Sequence, residues 1–417
     1  MIEPQVQKMI GTIKESLRSV QHVSFTTDIW TDSTTKESFI SVTAHWINAH
    51  WQRRDHVLSC CNFPESHTGQ HIADKLNQAF SEWDLGLNDL GTDKKHVIVR
   101  DGASNMRVGC NLVPLGNFHC LIHLLQLVVV DAVFAQDLLG KIIRKCRVLC
   151  TYLHNSACGT AVFRKKQTEV YGIPLSQAKQ LIGDVRTRWN SSYLMLLRIQ
   201  TLREALEAFM LEEAELPTST SSWSEAKSLD ANEWACIDRM VVLLEPFFKY
   251  TEIMSANKIS VSLAIILVKI LEMELNALSD RGVHRLKNHL QEQLTARFFS
   301  EQPSEKTGPD STVKYNILRD TRFTVPTILH PLIKTKAFES KELRAKAQED
   351  LTKELTQLAR VNEEKRKRDE EKQRQQSSQS VSQSQKSQKP PAKKKKAAPT
   401  SMLSFLRQED DSESGNK

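Results

Sequence analysis

Two aspartates are the first residues in this chain whose type and placement could do chemistry. Asp28 lies in Thr-Thr-Asp-Ile-Trp and Asp101 in Val-Arg-Asp-Gly-Ala-Ser-Asn-Met, each at or just beyond the end of a predicted strand. If those strands are neighbours in one sheet, the carboxylates converge at its edge and can hold Mg²⁺ ions that clamp an in-line phosphoryl transfer. An aspartate after a strand is equally an ordinary turn former and helix cap, so spacing alone leaves both readings open. Cys120-Leu-Ile-His123 places a thiol and an imidazole at i, i+3, but that is half a zinc site with no second pair at finger-like spacing. Cys146, Cys150, His154 and Cys158 fall at i, i+4, i+8 and i+12. Ligands spread along about 18 Å of one helix cannot meet on one ion, so these residues read as reduced cysteines facing a core.

The remaining candidates are basic. Lys365-Arg-Lys-Arg368 is interleaved with Glu363, Glu364, Asp369 and Glu370 and reads as a solvated charged helix. Lys393, Lys394, Lys395 and Lys396 follow Pro390 and Pro391 with no acid nearby, and read as a nuclear-import signal. The 417-residue chain carries a formal charge of +7, and 19 of its basic residues face 13 acidic ones from Lys341 onward, which leaves 38 against 37 in residues 1–340. The body is close to neutral and offers no general nucleic-acid-binding surface. Its longest apolar run, Leu121 to Phe134, is interrupted by His123, Gln126 and Asp131 and falls short of the roughly 20 residues a membrane span needs, so it predicts a buried helix. Met1 to Lys14 has no apolar core of a secretory signal, and the eight cysteines then read as reduced thiols of an intracellular protein.

The acids need strands to position them. Val23 to Trp30, Phe39 to Ile47 and Val57 to Phe63 alternate and are rich in β-formers, and their short polar connections suit an antiparallel meander. A helix opened by Ser66 or Thr68 follows, with Ile72, Leu76, Phe80 and Trp83 on one face. His96 to Val99 is a short apolar strand, and Ser104 or Asn105 is expected to cap the next helix. Three antiparallel strands, a helix and a further strand is the order of the ribonuclease-H-like fold, which composition alone does not separate from other α/β folds. Beyond Gly116 the pattern is helical, with Leu121–Phe134 and Leu138–Leu153 as strong candidates, and from Gln200 to Leu278 it is helical throughout except for the Pro217–Ser222 loop. Leu343, Leu351, Leu355 and Leu358 mark one more amphipathic helix, and Gln375 to Pro399 is a Ser/Gln/Lys/Pro tract that cannot bury a core.

Six segments occur in a telling order: Phe25-Thr-Thr-Asp-Ile-Trp-Thr-Asp, Val42-Thr-Ala-His-Trp, His67-Thr-Gly-Gln-His, Asp101-Gly-Ala-Ser-Asn-Met, His119-Cys-Leu-Ile-His-Leu-Leu and Asp184-Val-Arg-Thr-Arg-Trp-Asn-Ser-Ser-Tyr. Together they resemble the hAT DNA transposases, and above all their domesticated descendants, the zinc finger BED-domain proteins. Glu233-Trp234, Leu244-Glu-Pro-Phe-Phe and Val325-Pro-Thr-Ile-Leu-His-Pro extend the likeness to about residue 340. The resemblance implies a ribonuclease-H-like domain interrupted by a long helical insertion. It implies that Asp28 and Asp101 match the first two acids of an Asp-Asp-Glu metal site, that Cys120 and His123 match a Cys-x-x-His motif, and that Arg188 and Trp189 lie beside bound DNA. The alternative for the last pair is a tryptophan packed at a domain junction. Departures from the family pattern are as informative. The first cysteine is Cys60, so no BED finger is expected; His330 stands where the family usually has Asp; and past Phe338 neither the third acid nor the dimerisation region is recognisable.

The organisation that follows is α/β plus α. A ribonuclease-H-like core with a mixed sheet is expected over residues 1–200, a helical insertion and return segment over 201–340, a charged helix over 341–375 and a disordered basic tail over 376–417. The expected role is that of a domesticated, non-catalytic nuclear protein associated with DNA or chromatin or regulating transcription. It would contact DNA weakly and mostly through phosphates, and would need no cofactor beyond a weakly held Mg²⁺ at Asp28 and Asp101. A metal-dependent transposase or nuclease remnant is the rival, and some BED-type relatives imply a modifier-ligase label.

Overall fold

The computed structural model describes the chain except for residues 1, 21, 33, 86–95, 186–187, 215–228, 257–258, 280–282, 305–312 and 385–417. Alternating β-formers early in the chain build a meander of β1 (Ser24–Thr31), β2 (Ser38–Ile47) and β3 (Arg53–Asn62). Two short parallel strands, β4 (Val97–Arg100) and β5 (Gly116–His119), complete a five-stranded sheet in the order β3-β2-β1-β4-β5. β1 is antiparallel to β2 and parallel to β4, so the sheet is mixed, as expected.

One face of this sheet is covered by α1 (Ile2–Ser19), α2 (Gly69–Glu82) and α3 (Ser104–Leu112). The inward residues Phe25, Ile40, Val42, Ala44, Trp46 and Ile98 meet Ile13, Leu17, Ile72, Leu76, Phe80 and Met106 in a single core. Thr68 caps α2, its side chain accepting from the His71 N–H. α3 departs from expectation. Ala103 is its N-cap, with no side-chain cap bond. Asn105 instead spends its amide on the His67 carbonyl, 2.8 Å away, tying the start of α3 to the loop before α2. Glycine makes the two helices approach closely. A Cβ on Gly109 would lie 2.6 Å from Ile72 Cγ2 and 3.0 Å from the Gly69 carbonyl, so no side chain fits there.

Helices dominate the rest: α4 (Leu121–Phe134), α5 (Asp137–Asn155), α6 (Ala157–Tyr171), α7 (Trp189–Thr201), α8 (Arg203–Ala214), α9 (Ala231–Ser255), α10 (Ala264–Ala277) and α11 (His284–Phe298). A hairpin of β6 (Phe299–Ser304) and β7 (Lys314–Asn316), then α12 (Thr321–Leu329) and α13 (Lys341–Ser384), follow. Their apolar faces form a second, separate core, whose buried residues run in the chain from Leu124 to Ala347. α4 is indeed buried, and among the described residues no single helix is long and apolar enough to cross a membrane.

Several local expectations are corrected. The chain beyond Gly116 is not yet helical, because Gly116–His119 pairs with β4 before α4 begins. β3 starts at Arg53, earlier than Val57, which tightens its connection to β2. The cysteine stripe is broken at Ser156, which ends α5 and caps α6. Cys146 and Cys150 face the core, while Cys158 is exposed on the next helix. Burial pushes the Cys150 thiol up to about 12 and the Cys146 thiol higher still, as suits inert core residues. The chain divides into two compact units, Met1–Leu355 and Thr356–Lys417. In the first, Ala347 and Asp350 of α13 are buried, with Lys346 bonded to Asp350 at 2.9 Å. In the second, α13 runs on to Ser384, past the end expected near 375. The Pro217–Ser222 loop and the tail from 385 lie outside the described residues.

Candidate functional site

The register of β1 against β4 brings the two aspartates together. Ser24, Phe25 and Thr26 stand opposite Val97, Ile98 and Val99, and the parallel run carried two residues further sets Asp28 level with Asp101. Asp28 lies inside β1, across from Ser41 of β2, and is exposed; Asp101 lies just past the end of β4. Partial desolvation, and next the Asp101 carboxylate, raise Asp28 above the ordinary aspartate value. Three features pull the other way: the Ile29 N–H, which donates to Asp28 Oδ1 at 2.9 Å, and the charges of Arg188 and His123.

Asp101 is fixed by the turn it opens. Its Oδ1 accepts from the Ala103 N–H at 3.1 Å, and its carbonyl accepts from Arg100, whose guanidinium also reaches Asn117 at 2.8 Å. Gly102 is required by contact, since any Cβ there would run into the His119 ring. His119 closes β5, with its N–H donating to the Tyr315 hydroxyl at 3.0 Å and Nδ1 3.0 Å from the Cys120 carbonyl. Its ring lies 5.2 Å from that of His123, in the first turn of α4, tilted to it by 44°. Burial is the main force on all three neighbours. It holds His119 down to about 4, lowers His123 despite the nearby Asp101 and Asp28, and raises the Cys120 thiol. The raised Cys120 value disfavours the thiolate that zinc takes, whereas the neutral His123 imidazole is the form that can ligate, so the Cys-x-x-His pair offers one ready donor and not two.

Arg297, which stands in no recognisable motif, belongs to this cluster. It comes from α11, is 4% exposed, forms an ion pair with Asp131 of α4, and helps to keep His119 and His123 neutral. Asp131 is 166 residues away, so no sequence spacing could have signalled the pair. Arg188 and Trp189 part company. Arg188 is exposed at the N-cap of α7 and near enough to Asp28 to act on its charge. Trp189 is 5% exposed and packed in the helical core beside Tyr193, which leaves little of its ring to meet DNA in this conformation.

Two carboxylates suit one Mg²⁺ that keeps most of its waters. Among the described residues no group of three or more His, Cys, Asp or Glu is placed to hold a metal ion, whereas a two-metal centre needs more donors than this pair. Lys393, Lys394, Lys395 and Lys396 lie outside the described residues. In Lys365–Arg368, Arg366, Lys367 and Arg368 pair with Glu370, Glu363 and Glu364 at i, i+4 spacing, so that cluster is largely self-neutralised.

Two family models match the chain: the ZBED1 RNase-like domain over residues 26–104 and the ZBED1 RNase-like helical domain over residues 118–240. The first match ends at the start of α3 and the second begins inside β5 and takes in α4. Zinc finger BED domain-containing protein 4 of Homo sapiens is 24% identical over 359 residues, 84% of this chain and 27% of that protein. A Zea mays protein named "Putative AC transposase" is 27% identical over 61% of this chain and 30% of its own length. "Putative transcriptional regulator tpeD" of Talaromyces stipitatus is 22% identical over 62% of this chain and 32% of its own. The chain thus spans about a third or less of the length of these relatives.

Proposed function

The chain belongs to the hAT-transposase-derived proteins of the zinc finger BED type, and on that premise we propose that it is a nuclear, DNA- or chromatin-associated protein whose transposase-like fold holds nucleic acid without cutting it. The observation that carries the reading is Arg188, an exposed guanidinium close enough to Asp28 of the acidic pair to act on its charge. An arginine so placed draws a phosphate toward the edge of the sheet. Two carboxylates there, one of them inclined to keep its proton, hold a cation weakly.

Fluorescence anisotropy with unrelated duplexes tests this. Affinity should fall steeply between low and physiological salt and differ little between sequences. Arg188→Ala should weaken every duplex alike and lower the salt slope by about 1. A tight, sequence-selective complex at physiological salt would refute the reading. The rival, a metal-dependent strand-cleaving remnant, is favoured by the meeting of Asp28 and Asp101. Nicking in Mg²⁺ or Mn²⁺ that is lost in both Asp28→Ala and Asp101→Ala would establish it.

A further inference from the structure

The opposite end of the sheet from the acidic pair displays a second built feature. The turn joining β2 to β3 is wound by one side chain: Asn48 Oδ1 accepts from the N–H groups of His50 (3.0 Å) and Gln52 (2.9 Å), and its amide donates to Gln52 Oε1 at 3.2 Å. Backbone bonds from Asn48 N–H to the Gln52 carbonyl and from Trp51 N–H to the Asn48 carbonyl, both 3.0 Å, close it. At its apex stands Trp51, 89% exposed and at φ 59°. A bulky residue in the left-handed region is strained, and this indole gains no burial in return. The other non-glycine residues in that region, among those described, are Lys36, Asp84 and Lys334, all polar. The hairpin goes on into Arg53 and Arg54, both exposed, Arg53 donating to the Ile259 carbonyl at 3.3 Å and Arg54 to Gln52 Oε1 at 2.7 Å. Asp55, across from His45, is the sole acid between His45 and His56.

A strained, solvent-held aromatic beside positioned guanidinia is the pairing that single-stranded nucleic acid uses, because every base offers a π-face and every linkage a phosphate. We propose that the Asn48–Arg54 hairpin docks a nucleic-acid strand, with an unpaired base stacked on the Trp51 indole and flanking phosphates on Arg53 and Arg54. This deepens the nucleic-acid reading above and rests on it. Exposed Ile47 and Val57 on the same two strands make a protein partner the competing occupant.

The test uses the full chain, a labelled oligothymidylate and a blunt duplex. Trp51→Gly should cut oligothymidylate affinity about 5- to 100-fold, the range that loss of one base stack produces, while Trp51→Phe stays close to wild type. Thermal unfolding of Trp51→Gly should be unchanged or later, since glycine relieves the strain, so a loss of binding is not a loss of fold. Unchanged oligothymidylate affinity in Trp51→Gly and in Arg53→Ala/Arg54→Ala overturns the hairpin proposal and leaves the DNA reading standing. Absence of nucleic-acid binding by the wild type overturns both. Loss of a protein partner from Trp51→Gly, with oligothymidylate binding intact, assigns the hairpin to that partner and overturns the proposal.

Discussion

At the scale of single residues, the acidic pair opposes the fold that holds it. Asp28 has a raised folded value because partial desolvation and Asp101 disfavour its charge, so the native state binds this proton more tightly than the unfolded chain does. Its contribution to stability is greatest at low pH, declines as pH rises from the unfolded value through the folded one, and is a constant cost above it. Asp28→Asn should therefore raise the melting temperature at neutral pH and lose that advantage in acid; a lower melting temperature at neutral pH would show that the carboxylate is compensated. His119 has the opposite sign. Held down to about 4 against 6.5, it takes up its proton more readily in the unfolded chain, so stability is full above about 6.5 and drains as pH falls toward 4. The loss is about 3 kcal/mol at most, and His119→Asn should flatten that limb in urea unfolding at stepped pH. Of this cluster, the sequence makes Asp28, Asp101, Cys120 and His123 visible, because each stands at a strand end or in a short motif. Arg297 is invisible, since only the packing of α11 on α4 brings it to them.

At the scale of elements, the reach of Asp101 depends on glycine. The strand β4 is four residues long and its aspartate lies beyond it, so the turn and α3 must hold the carboxylate in place. α3 is seated on α2 through Gly109 and Gly69, and Asn105 ties its first turn to the loop that opens α2. Gly109→Ala should cost about 1–3 kcal/mol, since the added methyl meets both the Ile72 side chain and the Gly69 backbone. It should also reduce the coupling between the two acids, seen as a lower Asp28 titration midpoint in NMR. An unshifted melt would show that the helices separate freely. Elements differ in how well the sequence reveals them for the same reason. β1, β2 and α2 bury one face and so print a period of two or of 3.6. β5, reading Gly-Asn-Phe-His, is too short to show any period, and its partner is chosen by the parallel crossover through α3. The β6–β7 hairpin has the same difficulty, yet Tyr315 from it reaches back to the His119 N–H.

At the scale of the whole molecule, charge and fold are kept apart. The body holds 38 basic against 37 acidic residues, so the nucleic-acid contacts proposed above are local ones, Arg188 near the acidic pair and the Trp51 hairpin at the other end of the sheet. The surplus lies from Lys341 onward, yet Lys346, Lys353 and Arg366 to Arg368 are paired in place with acids along α13. Lys393 to Lys396 has no acid closer in sequence than Glu409, and Pro390, Pro391 and Pro399 flank it. A receptor that reads extended basic peptide needs a run of this kind, whereas the same charges on a helix in i, i+4 pairs are already spent. Replacing these four lysines by alanine should move a tagged full-length chain from nucleus to cytoplasm. Replacing Lys365 to Arg368 should leave it nuclear and lower the stability of α13 only slightly, because exposed helix pairs contribute about 0.3–0.5 kcal/mol each. Nuclear accumulation that survives the first substitution and fails with the second would transfer the import signal to the helix, and accumulation that survives both would remove it from the tail.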